Sequence, residues 1–346
     1  MKYCTIKDFY KNIYLPLEEK LLIDINDYCI ENQQAMQEEY IGWLYKVVHA
    51  SNIAKYVPLE RLHCTMLYTD IFSGNASMSC YVYDAQGSIM TVASLSCLWI
   101  MNLWQDFEKQ ICDEREYIRS VIHPVMFRCY YPSTIRKVLA VLGEYLKVWL
   151  ALNLDKIMTG ILLTSEFYVT YGEYQGEQEV IGRLRSKVNL LKYIGQDNLP
   201  DDELRYRFFS DERYRVRKLG ELDLQNSKFK DCLFEPWKFE NTDLQNVVFD
   251  NCRFHLTEFR KVDLDGAIFI NCSFDMCCFQ SVQADGRLGR YPALFVNCSF
   301  SDLNFVDCDW IGVDYIDCEF THAKMINSKL DGGVLNKIGI EGCSNV

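Results

Sequence analysis

The triplet His63-Cys64-Thr65, followed by Met66 and Leu67, is the first group in the chain whose spacing suits catalysis. On a strand, residues two apart share a face, so imidazole and hydroxyl would stand side by side. Such an imidazole works as a base only if a second group returns the proton. The chain has five histidines, His49, His63, His123, His255 and His322, and no second strand is expected to complete the pair. His63 is therefore read as a packed side chain. No Gly-rich phosphate loop, no Gly-x-Ser-x-Gly and no His-Glu-x-x-His occurs in the sequence, motifs that would carry phosphoryl, acyl or zinc chemistry. No catalytic residue is assigned, and the reading is non-enzymatic.

Sixteen cysteines raise the alternatives of disulfides or metal. Their spacing gives neither, for no two stand three apart as a Cys-x-x-Cys ligand pair requires. Seven of them, Cys232, Cys252, Cys272, Cys277, Cys298, Cys308 and Cys318, fall at one recurrent position, where a thiol behaves as a small hydrophobe. Adjacent Cys277 and Cys278 should face opposite ways. No metal and no cofactor is expected, and so many free thiols point to a reducing, cytoplasmic setting.

Two groups of charged residues have an interface-like composition. One is the segment Arg287-Leu-Gly-Arg290-Tyr291-Pro292, whose Gly and Pro mark a loop and whose Arg and Tyr are typical binding anchors. The other is the acidic run Asp302, Asp307, Asp309, Asp314, Asp317 and Glu319, with no Lys or Arg until Lys324. The protein-binding candidates are Arg287, Arg290, Tyr291, Asp307, Asp309, Asp314 and Asp317. A net charge of −12 disfavours direct nucleic-acid binding.

The elements that place these residues follow from a five-residue beat. Bulky apolar residues recur at Leu219, Leu224, Phe229, Phe234, Phe239, Leu244, Phe249, Phe254, Phe259, Leu264, Phe269, Phe274 and Phe279. The beat resumes at Phe295 and runs through Phe300, Phe305, Trp310, Tyr315, Phe320, Met325, Leu330 and Leu335. Neither a helix nor a strand has a period of five, and a short period sustained this long marks a repeat architecture. A longer period of twenty overlies it: Asp223, Asp243 and Asp263 recur, as do the pairs Asp231-Cys232, Asn251-Cys252 and Asn271-Cys272. The step from Cys272 to Cys298 is six too long, which places an extruded loop at 287–292. Stacked Asp residues at strand spacing repel unless each carboxylate is used, so a role in their own turns is expected.

The triplets Thr242-Asp243-Leu244, Val262-Asp263-Leu264, Cys272-Ser273-Phe274 and Cys298-Ser299-Phe300 resemble the pentapeptide-repeat family over about residues 217–337. That resemblance implies a right-handed quadrilateral β-solenoid with four pentapeptides per coil, the marked residue and the one two before it pointing inward. At about 4.8 Å per coil, six coils make a rod of roughly 30 Å. His63-x-Thr65 also resembles one half of the 2H phosphoesterase signature.

The rest of the chain reads as an α+β domain, mostly helical, over 1–195. Residues 1–56 are predicted helical, with Leu21, Ile25, Tyr28 and Cys29 on one stripe and Tyr40, Trp43, Leu44 and Val47 on another. Strands are expected over 63–69 and 78–83, helices from Ser94 to Ile122 and from Ser133 to about Leu154, and a strand over 161–171 in preference to a continued helix. Residues 196–217, with alternating Arg and aromatic side chains, are predicted to form a linker and an N-terminal cap, and 218–340 the solenoid. The expected function is a scaffold or adaptor that binds a protein partner, with no membrane span. The family resemblance carries an alternative: a DNA mimic that occupies the DNA-binding groove of a type II topoisomerase. Members acting that way dimerise through a C-terminal helix, for which Lys337–Val346 is too short and Gly-rich. A second alternative is an enzyme in the N-terminal domain.

Overall fold

The computed structural model describes residues 6–50, 56–116, 124–173, 178–185, 188–193, 203–284 and 291–330, together with Gly176 and Gly286. The chain forms two compact units, Met1–Trp149 with Asp155–Ile181, and Leu150–Leu154 with Gly182–Val346.

The first unit is rich in helices around a five-stranded mixed sheet. A π-helical turn, Tyr10–Tyr14, leads into the helix Leu15–Glu31, which starts with Pro16 in its first turn; Gln33–Ala50 follows. Leu21, Ile25, Cys29, Tyr40, Leu44 and Val47 are buried as their stripes predict. The strands are β1 (Leu59–Met66), β2 (Ser77–Asp84), β3 (Ile89–Ser96), β4 (Leu163–Gly172) and β5 (Gln178–Arg185), in the order β3-β2-β1-β4-β5. β1 runs antiparallel to β2 and parallel to β4. Leu62, Cys64 and Met66 alternate with Arg61, His63 and Thr65, so the two sets share β1 but face opposite ways.

Two expectations change here. The helix expected from Ser94 begins at Leu98, because Ile89–Ser96 is a strand paired with β2. Its apolar residues, Ile89, Met90, Val92, Ala93 and Leu95, do not alternate with polar ones, so pairing rather than pattern decides the element. The turn at 73–75 closes a short helix, Tyr68–Ser73, with Gly74 left-handed at φ +82°.

The second unit is a set of parallel ladders. Phe209, Phe229, Phe249, Phe269, Phe295 and Tyr315 lie in register along one of them. Tyr214, Phe234, Phe254, Phe274, Phe300 and Phe320 form a second, and Phe239, Phe259, Phe279, Phe305 and Met325 a third. Isolated bridges link Asp223, Asp243, Asp263, Gln283 and Asp309 in a fourth. The step is twenty residues, or twenty-six across the extruded segment. Marked residues from Leu224 to Trp310 are fully buried. Successive Phe rings stack nearly parallel, 4.7 Å apart for Phe254 and Phe274 and 4.6 Å for Phe269 and Phe295.

The beat starts earlier than expected. Leu204, Phe209 and Tyr214 are buried, and Phe208–Ser210 and Arg213–Gly220 already pair with the next coil. The Arg-aromatic segment expected as a cap is thus the first coil. Leu190, with Val188, Leu191 and Tyr193, packs into the same core ahead of it. Arg207 takes the inward small position, tolerated there because Glu203 accepts from its Nε at 2.7 Å through the main chain and pairs with it at 2.6 Å through the carboxylate.

The corners explain the residue two after most marks, Pro236 within the strand Leu233–Glu240 and His322 being exceptions. At these corners the backbone is left-handed, with non-glycine φ between 49° and 58°. Asn and Asp tolerate that region better than other side chains, and twelve of the eighteen described non-glycine residues with positive φ are Asn or Asp. At one corner the residue is Gly266, left-handed at φ +69°, where a Cβ would also meet Asn246 Oδ1 and force that side chain to move.

Candidate functional site

The inward cysteines are core. All but Cys318 are buried, and each thiol donates to the carbonyl of a Phe on the coil beneath, as Cys272 does to Phe249 O at 3.4 Å and Cys308 to Phe279 O at 3.3 Å. Burial pushes the Cys308 thiol up to about 11 and Cys277 up to about 12, so both stay protonated and unreactive at neutral pH. Cys278, facing outward, is half-buried. Among the described residues, no group of three or more His, Cys, Asp or Glu could hold a metal ion.

The Asp column serves its own turns, as expected. Asp243 Oδ1 accepts from Gln245 N at 3.0 Å, and its Oδ2 accepts from Gln225 Nε2 at 2.6 Å. Asp223 and Asp263 repeat the pattern, Asp223 Oδ2 being bonded by Arg205. Burial raises the Asp243 carboxyl above the usual range, opposed by those two hydrogen bonds.

That pattern reassigns most of the late acids. Asp302, Asp307 and Asp317 sit at left-handed corners, with Asp307 Oδ1 accepting from Asn327 Nδ2 at 3.3 Å. Asp309 stands in the Asp223 column and faces Lys329 Nζ at 3.8 Å. Asp314 and Glu319 differ: both are exposed on strands. The sequence held this signal for Asp307, Asp309 and Asp317, which share register positions with Asn241, Asp263 and Asn297, but not for Asp302, which follows Met276 and Leu256.

Of the extruded segment, Arg287 and Arg290 lie outside the described residues. Tyr291 is not the exposed anchor expected: it is 6% exposed, and its carbonyl accepts from Gly266 N at 2.6 Å. On the other side of the segment, Gly286 N donates to Asp265 Oδ1 at 3.0 Å. The two feet are tied to one corner, Asp265-Gly266, so Tyr291 fixes the loop rather than presenting it.

His63 is 2% exposed, and its Nδ1 lies 2.9 Å from Thr170 Oγ1 on β4. Its ring stacks on Tyr81 of β2, while Arg61 lies over the Tyr83 ring at 4.2 Å. The Nε2 atom and the neighbouring Thr65 Oγ1 are buried without a hydrogen-bond partner. Two other triplets in the sequence share the spacing, His49-Ala50-Ser51 and His255-Leu256-Thr257, contrary to the expectation that His63 stands alone. His49 ends a helix and contacts Ile157 O at 2.9 Å. His255 sits in a coil 2.7 Å from Asp275. Neither belongs to the sheet that carries His63, so among the described residues no facing pair of imidazoles forms.

Burial, then the nearby Arg61 charge, pushes His63 down to about 4 from 6.5. The folded state therefore resists a proton that the unfolded state accepts. The resulting stability is complete above pH 6.5 and is lost as pH falls from 6.5 to 4. Across that window the unfolding midpoint is expected to fall more steeply in the parent than in His63→Gln, measured by urea denaturation at each pH. Parallel pH profiles would contradict a buried neutral imidazole.

Comparison with known proteins locates two matches. Residues 295–336 match pentapeptide repeats (8 copies), and residues 201–279 match the family described as the SV2A/B/C luminal domain. No curated protein matches the chain. Among solved structures, full-length QnrB1, a plasmid-mediated fluoroquinolone resistance protein, is 16% identical over 41% of this chain and 87% of its own, with a TM-score of 0.30. Two trypsin-treated QnrB1 variants are 16% and 17% identical over 40% and 42% of this chain and 84% of theirs, each with a TM-score of 0.28.

Proposed function

Taking the pentapeptide repeats of residues 295–336 as the premise, we propose that this protein is a non-enzymatic binding scaffold whose solenoid presents a rigid face to a protein partner. In this reading the ladders wind as a right-handed, four-sided coil, and the N-terminal domain engages part of the same assembly in a reducing, cytoplasmic setting. The supporting observation is that outward side chains are paired from coil to coil: Arg215 with Glu235 at 3.1 Å, Lys238 with Glu258 at 3.0 Å, and Asn251 with Asp231 at 2.5 Å. Single exposed pairs add little stability. Repeated at strand spacing, they hold side chains in one arrangement, which lowers the entropy lost when a partner binds. Among the described residues, no helix is long and apolar enough to cross a membrane.

The contact residues proposed are Arg287, Arg290 and Asp314, the last for its exposure on a strand; Asp307, Asp309, Asp317 and Tyr291 have structural duties. Reversing charge in the double variant Arg287→Glu, Arg290→Glu is expected to reduce recovery of the partner by about tenfold in pull-downs from the native host, with the melting temperature unchanged. Equal recovery would remove the loop from the reading. The DNA-mimic alternative requires an array of free carboxylates, and here the corner and turn acids are used locally. A gyrase supercoiling assay separates the two, because inhibition at roughly micromolar protein would favour the mimic.

A further inference from the structure

A cavity of 630 Å³ in the N-terminal unit lies between the helix Tyr131–Ile157 and the adjoining ends of β4 and β5. Its size is that of a small-molecule site, which spans about 300–1,000 Å³. Arg136 and Leu139 come from one turn of the helix, while Tyr171, Glu173, Gln178 and Glu179 come from the strand side. The Tyr171 ring is seated by Gly143, where a Cβ would lie 3.4 Å from Tyr171 Cδ1.

The two walls carry opposite charge. Arg136 has no ion-pair partner among the described residues. Across the cavity, the Glu173 carboxylate lies over a tight turn: Gly176 N donates to Glu173 O at 3.0 Å, and a Cβ at Gly176 would meet Glu173 Oε2 at 2.8 Å. Glu179 is anchored by Lys147 Nζ at 2.6 Å, which also holds Glu144 at 2.7 Å. A simple anion would be drawn to Arg136 and repelled by the glutamates. A simple cation would meet the reverse. A molecule carrying both charges satisfies both walls and leaves its side chain to Leu139 and Tyr171. The planar guanidinium suits a carboxylate, which it can bind through two parallel N–H donors.

We propose that this cavity binds a small zwitterion of the α-amino-acid class, its carboxylate on Arg136 and its ammonium on Glu173. The site is independent of the scaffold reading. The test uses the full chain and each of the standard L-amino acids at about 10 mM, read by thermal shift and then by calorimetry. At least one is expected to raise the melting temperature. Its affinity should fall at least about tenfold in both Arg136→Gln and Glu173→Gln, whose unliganded melting temperatures should match the parent because both side chains are at least partly exposed. Propionate and ethylammonium, each lacking one charge, should fail to bind. The proposal is overturned if no amino acid binds, if Arg136→Gln binds as tightly as the parent, or if propionate matches the best amino acid.

Discussion

Replacing Phe254 by alanine is expected to destabilise the solenoid by about 3–5 kcal/mol, the range for emptying a buried aromatic site. The ring is 1% exposed and stacks between Phe234 at 4.9 Å and Phe274 at 4.7 Å. It also meets Phe249 edge-on at 5.3 Å and Phe259 at 5.6 Å. A rigid stack cannot collapse into the gap, because each neighbour is held by its own coil. In a repeat stack each coil depends on its neighbours, so the damage should be local before it is global. Urea denaturation gives the magnitude, and hydrogen exchange should show protection lost first on the strands holding Phe234, Phe254 and Phe274. Phe254→Leu keeps most of the volume and should cost about 1–2 kcal/mol. A loss below about 1 kcal/mol for the alanine variant would mean that the column is not the source of the solenoid's stability.

The second large effect lies in the N-terminal unit. Glu18, only 3% exposed, accepts from Thr134 Oγ1 at 2.6 Å and from Lys137 Nζ at 2.6 Å. Tyr14, at the end of the π-helical turn, places its hydroxyl 2.6 Å from the same Thr134 Oγ1. Thr134 and Tyr14 are fully buried, while the Lys137 side chain is 47% exposed and can turn to water. Glu18→Ala should therefore destabilise by about 2–3 kcal/mol, because the buried Thr134 hydroxyl, which also bonds Tyr14, loses its charged acceptor. Glu18→Gln retains an acceptor for Thr134 and should lose about half as much. Thermal unfolding followed by circular dichroism ranks the three proteins. If alanine and glutamine are equivalent, the hydrogen-bonded network does not join these helices.

The beat, the twenty-residue period and the inward cysteines were legible because each coil repeats one chemical problem. An inward position between two stacked coils admits a Phe or a small residue, and the sequence writes that answer again every five residues. Some late acids were legible too, by register: Asp309 shares the position of Asp223, and Asp317 that of Asn271. Reading them as one acidic cluster ignored that positions five apart along the chain serve different corners of a coil.

The start of the solenoid was less visible. Arg207 and Glu212 stand where small residues are expected, and only the contact of Arg207 with Glu203 at the end of the stack makes the arginine admissible there. The strand Ile89–Ser96 was hidden for the opposite reason, since a strand with no clear alternation takes its identity from pairing with β2.

By itself the sequence determined the repeat, its period, the inward columns and the place of the extruded segment, because these follow from contacts between residues a fixed number of positions apart. Tertiary structure alone decided the rest. Glu18 meets Thr134 across 116 positions, His63 meets Thr170 across 107, and Arg136 shares a cavity with Glu173. No local period encodes such pairs, since they depend on how a whole sheet and its helices pack.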